Sequence, residues 1–462
     1  MEINQSKLES LAEKYGSRRF MYTEYPHKSF WSENVKQEEH KDALLNLFSH
    51  NENNPLMFYA HIPYCTKPCF FCTCHFEITK DHEKIGNYLV TLSEEIRLLR
   101  DFIDKNSINP KFVDVHLGGG SPTILNEEEF DYLVENIGSV VNIKNLDEFA
   151  LEIDPRFVDR ERMKFYHSRG INRISFGIQD FDYEVQKAIN RVQPAGLVEN
   201  LITPDIRSLF KKGVSFDILC GLPLQTEETI RKTFEKIIEF SPDRVCFNYM
   251  DFAPKYAPHQ EIMIDGRNGR PTRLPDNKER KKIFDTGLKI LMNNGYLRTG
   301  YDHFAKPHDD LAKALHEGKM HWNYLGVTPG RYTNVIGAGP SATSTLGDYY
   351  AQNFYGVENH RPPLERGEFP VFRNHKLDRD DTIRRDVIHK LRNFFSLNYE
   401  EIERLHKIDF NEYFKEEKLA LDEFRKDRVL DYDDRKIEVT DLGREFILFV
   451  CGKFDKYFRS KN

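Results

Sequence analysis

The chain has 462 residues, with 74 acidic side chains against 67 basic ones and a formal charge of −7. Hydrophobic residues make up 39% and charged residues 31%, a balance that supports a sizeable core and excludes general disorder. The weak acidity gives no reason to expect nucleic acid as a partner. No apolar run approaches the ~18 residues of a membrane span, and the polar start MEINQSKLESLAEKYG is no secretory leader. A cytoplasmic protein, monomeric and of about three domains, is expected.

In chain order, a short amphipathic helix is predicted at 5–15, followed by an aromatic and basic stretch at 18–31. From residue 56 short apolar runs read as buried parallel strands: 56–62, 112–117, 148–153, 171–177, 215–221 and 244–251. Segments of helical period separate them, 86–105 and 227–240 among them. Such alternation makes a parallel sheet with right-handed crossovers, and six units in about 200 residues suit an α/β barrel. Residues 270–375 read as loop-rich, and from 380 the pattern turns helical, as a small winged-helix-like unit with a packing role. The expected division is 1–50 as an N-terminal segment, 51–375 as the barrel and 376–462 as the C-terminal unit.

Four of the seven cysteines fall within ten residues, as Cys65, Cys69, Cys72 and Cys74. An odd total without an export signal is no disulfide framework. Zinc knuckles place their cysteines in two separated pairs, and no second pair follows here. Three thiolates at Cys-x3-Cys-x2-Cys spacing suit three corners of a cubane iron–sulfur cluster, with the fourth iron open to a ligand. Polar or glycine-rich signatures close the other strands: Gly118-Gly119-Gly120-Ser121-Pro122-Thr123, Glu152-Ile153-Asp154-Pro155, Gln179-Asp180 and Gly221-Leu222-Pro223. In a barrel of this type the strand C-termini carry the chemistry.

This cysteine spacing at the end of a first barrel strand resembles the radical S-adenosylmethionine (SAM) enzymes. The set YxHIPxC…CxFCxC, GGGxPT, ExDPR, RxSFGxQDF, FDxxxGLPxQT, YDHFA and GDYYAQN is similar to that of the oxygen-independent coproporphyrinogen III oxidases, over nearly the whole chain. The resemblance implies a partial (β/α)6 barrel with an N-terminal extension. It implies a [4Fe–4S] cluster on Cys65, Cys69 and Cys72, and SAM held by Tyr59, Phe71, Gly119, Gly120, Ser121 and Glu152. A second SAM would meet Gln179, Arg191 and Asp217, with Met250 and Thr343 completing the cofactor-binding set. Glu152 and Cys74 are the candidate catalytic residues; Cys74 is either a redox or proton-transfer group or an inert side chain. An electron donor such as flavodoxin or ferredoxin is implied as partner.

Two departures from the oxidase pattern bear on substrate. Met21 replaces an arginine in the N-terminal signature, and Leu325 and Val327 replace a glutamine and a tyrosine late in the barrel. Leucine neither donates nor accepts a hydrogen bond, which predicts a more apolar pocket, reinforced by Phe30, Trp31 and Trp322. On that ground the sequence favours radical SAM methylation of an aromatic ring, menaquinone at C8, with peripheral membrane contact. Oxidation of the tetracarboxylate coproporphyrinogen is the alternative. A haem chaperone is disfavoured by Cys74.

Overall fold

The computed structural model describes residues 5–15, 24–49, 55–265 and 273–459. Six parallel strands form its centre: β1 (Leu56–Ile62), β2 (Phe112–Gly119), β3 (Glu148–Ile153), β4 (Arg173–Gln179), β5 (Val214–Cys220) and β6 (Arg244–Tyr249), hydrogen-bonded in sequence order. This is the α/β radical SAM fold that the sequence predicts. Strand pairing continues past both ends. His303–Ala305 adds antiparallel to β6, while Asn334–Ala338 adds parallel to β1 and leads into three antiparallel strands.

The two faces of the strands differ in chemistry because strand side chains alternate. Phe58 and Ala60 of β1, Val115 and Leu117 of β2, and Phe149 and Leu151 of β3 are buried in the main core. Against them pack helices such as His82–Lys105, whose Ile85, Leu89, Leu92, Ile96 and Leu99 recur at helical spacing. Asp81 caps that helix by accepting from the Glu83 and Lys84 amides, satisfying two otherwise orphaned donors. The opposite face is polar: Tyr59 and His61, His116, Glu152, Ser175 and Asp217 all face one lumen. A strand that is apolar behind and polar in front makes a curved sheet around a wet cavity rather than a filled barrel.

A buried ion network stands at the N-terminal end of the strands. Arg331 Nη2 reaches Asp114 at 2.8 Å and Glu148 at 2.9 Å, and Arg244 Nε meets Asp309 at 2.6 Å. Burial and the neighbouring Glu148 push the Asp114 carboxyl up, against the pull of Arg331. At Glu148 burial is outweighed by Arg173, Arg244 and Arg331, which hold its carboxyl down.

Residues 273–375 are not the loop-rich region that their Gly, Pro, His and Tyr content predicts. They hold the helix Asn277–Asn293, the hairpin His321–Asn323 with Gly326–Thr328, and six strands that extend the sheet. Those strands are two to six residues long and take their stability from neighbours on the sheet, so local periodicity hardly marks them. Beyond them, helices Arg379–Phe394, Tyr399–His406, Lys415–Lys426 and Ile447–Phe454 surround a three-stranded sheet. Among the described residues no helix is long and apolar enough to cross a membrane.

Candidate active site

Residues 65–76 leave the C-terminal end of β1 as a loop, closed by parallel pairing of Tyr64–Cys65 with Glu77–Ile78. Other parts of the chain hold it in place. The Phe70 amide donates to the Ile189 carbonyl at 3.1 Å, and Asn190 Nδ2 donates to the Pro68 carbonyl at 2.7 Å. From the far side His259 Nε2 donates to the Cys72 carbonyl at 2.8 Å, and Gln260 Nε2 to that of Phe71 at 2.9 Å. The loop is therefore shaped before any ligand arrives.

Cys65, Cys69 and Cys72 line one end of a cavity of about 690 Å³. Arg191 Nη1 lies 3.3 Å and Arg156 Nη2 3.7 Å from Cys69 Sγ. Both guanidiniums also bind Asp154, Arg156 at 2.6 Å and Arg191 at 3.2 Å. Burial pushes the Cys65 thiol up to about 12, with Cys69 adding to the rise. Its thiolate thus needs a positive partner, which iron supplies. Among the described residues no three His, Cys, Asp or Glu side chains converge as they would on a single metal ion. Three soft sulfur donors on one loop, two arginines to offset negative charge and an adjoining cavity fit a [4Fe–4S] cluster with a ligand beside it.

Beside the cysteines the cavity wall is ordered by hydrogen bonds. His61 Nε2 donates to the His75 carbonyl at 3.0 Å, so its Nδ1 accepts from the Tyr59 hydroxyl at 3.0 Å. Burial lowers the His61 imidazole to about 4 and raises the Tyr59 phenol, which keeps both neutral. His116 Nε2 donates to Glu152 Oε1 at 2.9 Å, and the Gly119 amide to Oε2 at 3.3 Å. Glycine is required at this point. At Gly119, with φ +110°, a Cβ would stand 2.7 Å from the His61 ring, and at Gly118 one would stand 2.6 Å from Glu152. Ser121 lines the same wall, its hydroxyl 3.1 Å from that of Thr123.

Gln179 ends β4 at φ +66° and faces the cavity. Arg191 Nε donates to the Gly177 carbonyl at 2.9 Å. Asp217 accepts from the Ser175 hydroxyl at 3.1 Å, and burial, with Glu152 nearby, raises its carboxyl to about 6. Phe71 and Thr343 also line the cavity. Met250 does not: it packs with Val185, Ile189, Leu222 and Met263 in the apolar cluster behind Phe71. Cys74 opens to the cavity near Cys72, facing Glu152 and Lys28. Sequence reasoning missed Asp154, Arg156, His61 and His116. The first three lie inside quoted motifs, but only the fold shows that they orient their neighbours. For His259 and Gln260 no local signal exists.

The profile of the Radical SAM superfamily matches residues 59–237. The oxygen-independent coproporphyrinogen III oxidase of Helicobacter pylori is 33% identical over 440 residues, 95% of this chain and 94% of that protein. That of Escherichia coli is 33% identical over 453 residues, 98% and 96% of the two chains. The chain belongs to the oxygen-independent coproporphyrinogen III oxidase family. It is a radical SAM enzyme, whose chemistry uses a [4Fe–4S] cluster and SAM. The solved coproporphyrinogen III oxidase of E. coli shares this fold with a TM-score of 0.86 at 33% identity, covering 95% of this chain and 97% of that one.

This membership over the whole length corrects the substrate expectation. Methylation of menaquinone is overturned by relatives that are coproporphyrinogen oxidases from end to end. The physical error lay in judging a cavity by one substitution. Leu325 does face the cavity, packed near Tyr59 and Tyr324. Yet the same wall carries Lys28, Arg173, Arg191, Arg244, Glu152 and Asp217, and one leucine does not make that lining apolar. Met21 lies outside the described residues.

Proposed function

We propose that this chain is an oxygen-independent coproporphyrinogen III oxidase, converting two propionate side chains of a porphyrinogen to vinyl groups. One observation carries the reading: a polar, charge-bearing lumen with three cysteines at its rim, in a chain that matches such oxidases nearly end to end. Cys65, Cys69 and Cys72 would hold the cluster. When bound, cluster and SAM would together supply, at the expense of one electron taken up by SAM, the removal of one hydrogen atom from the substrate.

The protein's residues do the positioning. Arg156 and Arg191, fixed by Asp154, offset negative charge at Cys69. Glu152, aimed by His116 and the Gly119 amide, would accept from the SAM ammonium, and Gly120 and Ser121 would bound its aminoacyl end. Phe71 would pack on the adenine. Tyr59 and His61 stay neutral and add no competing charge. Gln179, Arg191, Asp217 and Thr343 line the space for a second SAM. Each propionate –CH2–CH2–COO⁻ would lose one hydrogen atom, which leaves in 5′-deoxyadenosine, carbon dioxide, and one electron, which offsets the one taken up in cleaving SAM, to become –CH=CH2. A flavodoxin- or ferredoxin-like donor supplies the electron that starts each cycle.

The test is an anaerobic assay of cluster-loaded enzyme with reductant, SAM and coproporphyrinogen III. The expected result is two carbon dioxide molecules per ring, with 5′-deoxyadenosine and methionine formed in step. SAM consumption without carbon dioxide release overturns the reading.

A further inference from the structure

A second chamber of about 830 Å³ adjoins the reaction cavity. Trp322, Tyr324 and Thr343 line both spaces, so a wall of three side chains separates them. The chamber lies between the hairpin at His321 and the helices Arg379–Phe394 and Tyr399–His406, with Glu24 and Trp31 on its N-terminal side. None of the cluster- or SAM-binding chemistry above reaches into it beyond that shared wall.

Its lining is chemically specific. Trp31 stacks on Tyr350, with centroids 5.4 Å apart and 16° between planes, and Trp322 and Phe394 add further flat apolar surface. Arg385, Lys390 and Arg404 are its cations, and Glu24, Asp386 and Glu401 its anions. Four buried polar atoms on the lining have no protein partner: Asn323 Nδ2, Tyr324 Oη and, most enclosed, Thr343 Oγ1 and Asn393 Oδ1. Thr343 and Asn393 are each 2% exposed. Buried polar atoms are ordinarily satisfied, so such exceptions point to a ligand or ordered water.

Volume decides what the chamber is for. Cavities of roughly 300–1,000 Å³ hold one drug-sized ligand. The reaction cavity, at about 690 Å³, would already take a cluster, the two SAM molecules proposed above and the reacting end of the substrate. A ring of four pyrroles with four carboxylate arms needs further space. We propose that the side chamber receives the body of the porphyrinogen, while one propionate reaches past Trp322, Tyr324 and Thr343 to the reaction cavity. Lys390 pairs with Glu401 at 2.7 Å and Arg385 with Asp386 at 3.5 Å, and the ligand would share these pairs: carboxylate arms meet Arg385, Lys390 and Arg404, and pyrrole N–H groups meet Asp386 and Glu401. Aromatic walls cover the ring faces. This assignment rests on the proposed oxidase function.

The chain has two tryptophans, Trp31 and Trp322, and both line the chamber, so a bound tetrapyrrole quenches their fluorescence. The experiment titrates coproporphyrin III, the stable oxidised ring, into cluster-loaded enzyme under anaerobic conditions. Lys390→Glu with Arg404→Glu should weaken binding at least about tenfold, or ~1.4 kcal/mol. Leu405→Tyr, which adds bulk at an exposed position on the chamber lining without changing charge, should also weaken it. Lys236→Glu, on a helix outside the chamber and paired with Glu199 and Glu239, should bind within about twofold of wild type. Wild-type affinity in both chamber variants, or equal weakening in Lys236→Glu, overturns the proposal. Turnover of coproporphyrinogen by the wild type is measured in parallel. Binding that depends on the chamber without turnover overturns the oxidase reading and leaves the chamber assigned; turnover with chamber-independent binding overturns the chamber alone.

Discussion

Gly119 shows how a single position can carry a site. Its φ of +110° is one that side-chain-bearing residues rarely adopt, and the space for a Cβ is taken by the His61 ring. An alanine there has to move that ring, which breaks the Tyr59–His61 hydrogen bond and displaces the amide that Glu152 accepts. Gly119→Ala is expected to weaken SAM binding about tenfold or more, ~1.4 kcal/mol. Equilibrium binding to the cluster-loaded variant measures this, with far-UV circular dichroism as the check on folding. At this scale the cysteine spacing and the glycine run were legible in the sequence. What Arg191 contacts was not. The family resemblance placed it at a second SAM but could not name Asp154 as its partner or place it 3.3 Å from Cys69 Sγ, because those residues are brought together by three separate strands and loops.

Between elements, Arg331 ties the segment before Asn334–Ala338 to β2 and β3 through Asp114 and Glu148. Removing one member of a buried charge network leaves its partners uncompensated, at a cost of about 3–5 kcal/mol. Arg331→Met is therefore expected to lower the urea midpoint of the folded chain by that equivalent, while Lys313→Met, at an exposed pair with Asp310, changes it by less than about 1 kcal/mol. The parallel strands were read within two residues of their ends because each is a compact apolar run. Their second face went unread. A run such as FVDVHL alternates from Val113 to Leu117 and so puts Asp114 and His116 on one face, but nothing local says that this face lines a lumen shared with other strands while Val115 and Leu117 meet the main core.

Across the whole molecule, Glu445 joins parts distant in sequence. Its carboxylate meets Lys281 Nζ on the helix Asn277–Asn293 and Arg298 Nη1 on a sheet-edge strand, each at 2.9 Å. Burial works against the charge, but Lys281 and Arg298 outweigh it and hold the carboxyl at about 2. A carboxyl below its ordinary value stabilises the fold above that value, and the contribution is lost as pH falls from about 4.5 toward 2. Glu445→Ala is expected to cost about 3–5 kcal/mol at neutral pH. Glu445→Gln should show a smaller loss of stability than wild type across that acid window, measured by urea titration at each pH.

The order of strands and helices, the cluster-ligand spacing and the radical SAM chemistry were determined by the sequence alone, because each is written in short runs whose meaning is local. The methylation reading was overturned by likeness along the entire chain, and three dimensions show why its premise failed. Leu325 had suggested an apolar pocket, and in the fold it is one residue on a wall bearing lysine, arginine and carboxylates. The cytosolic reading of a mildly acidic chain says nothing of that wall. A cavity's polarity is a sum over side chains delivered by every strand, and a sum of that kind has no counterpart in any single segment of sequence.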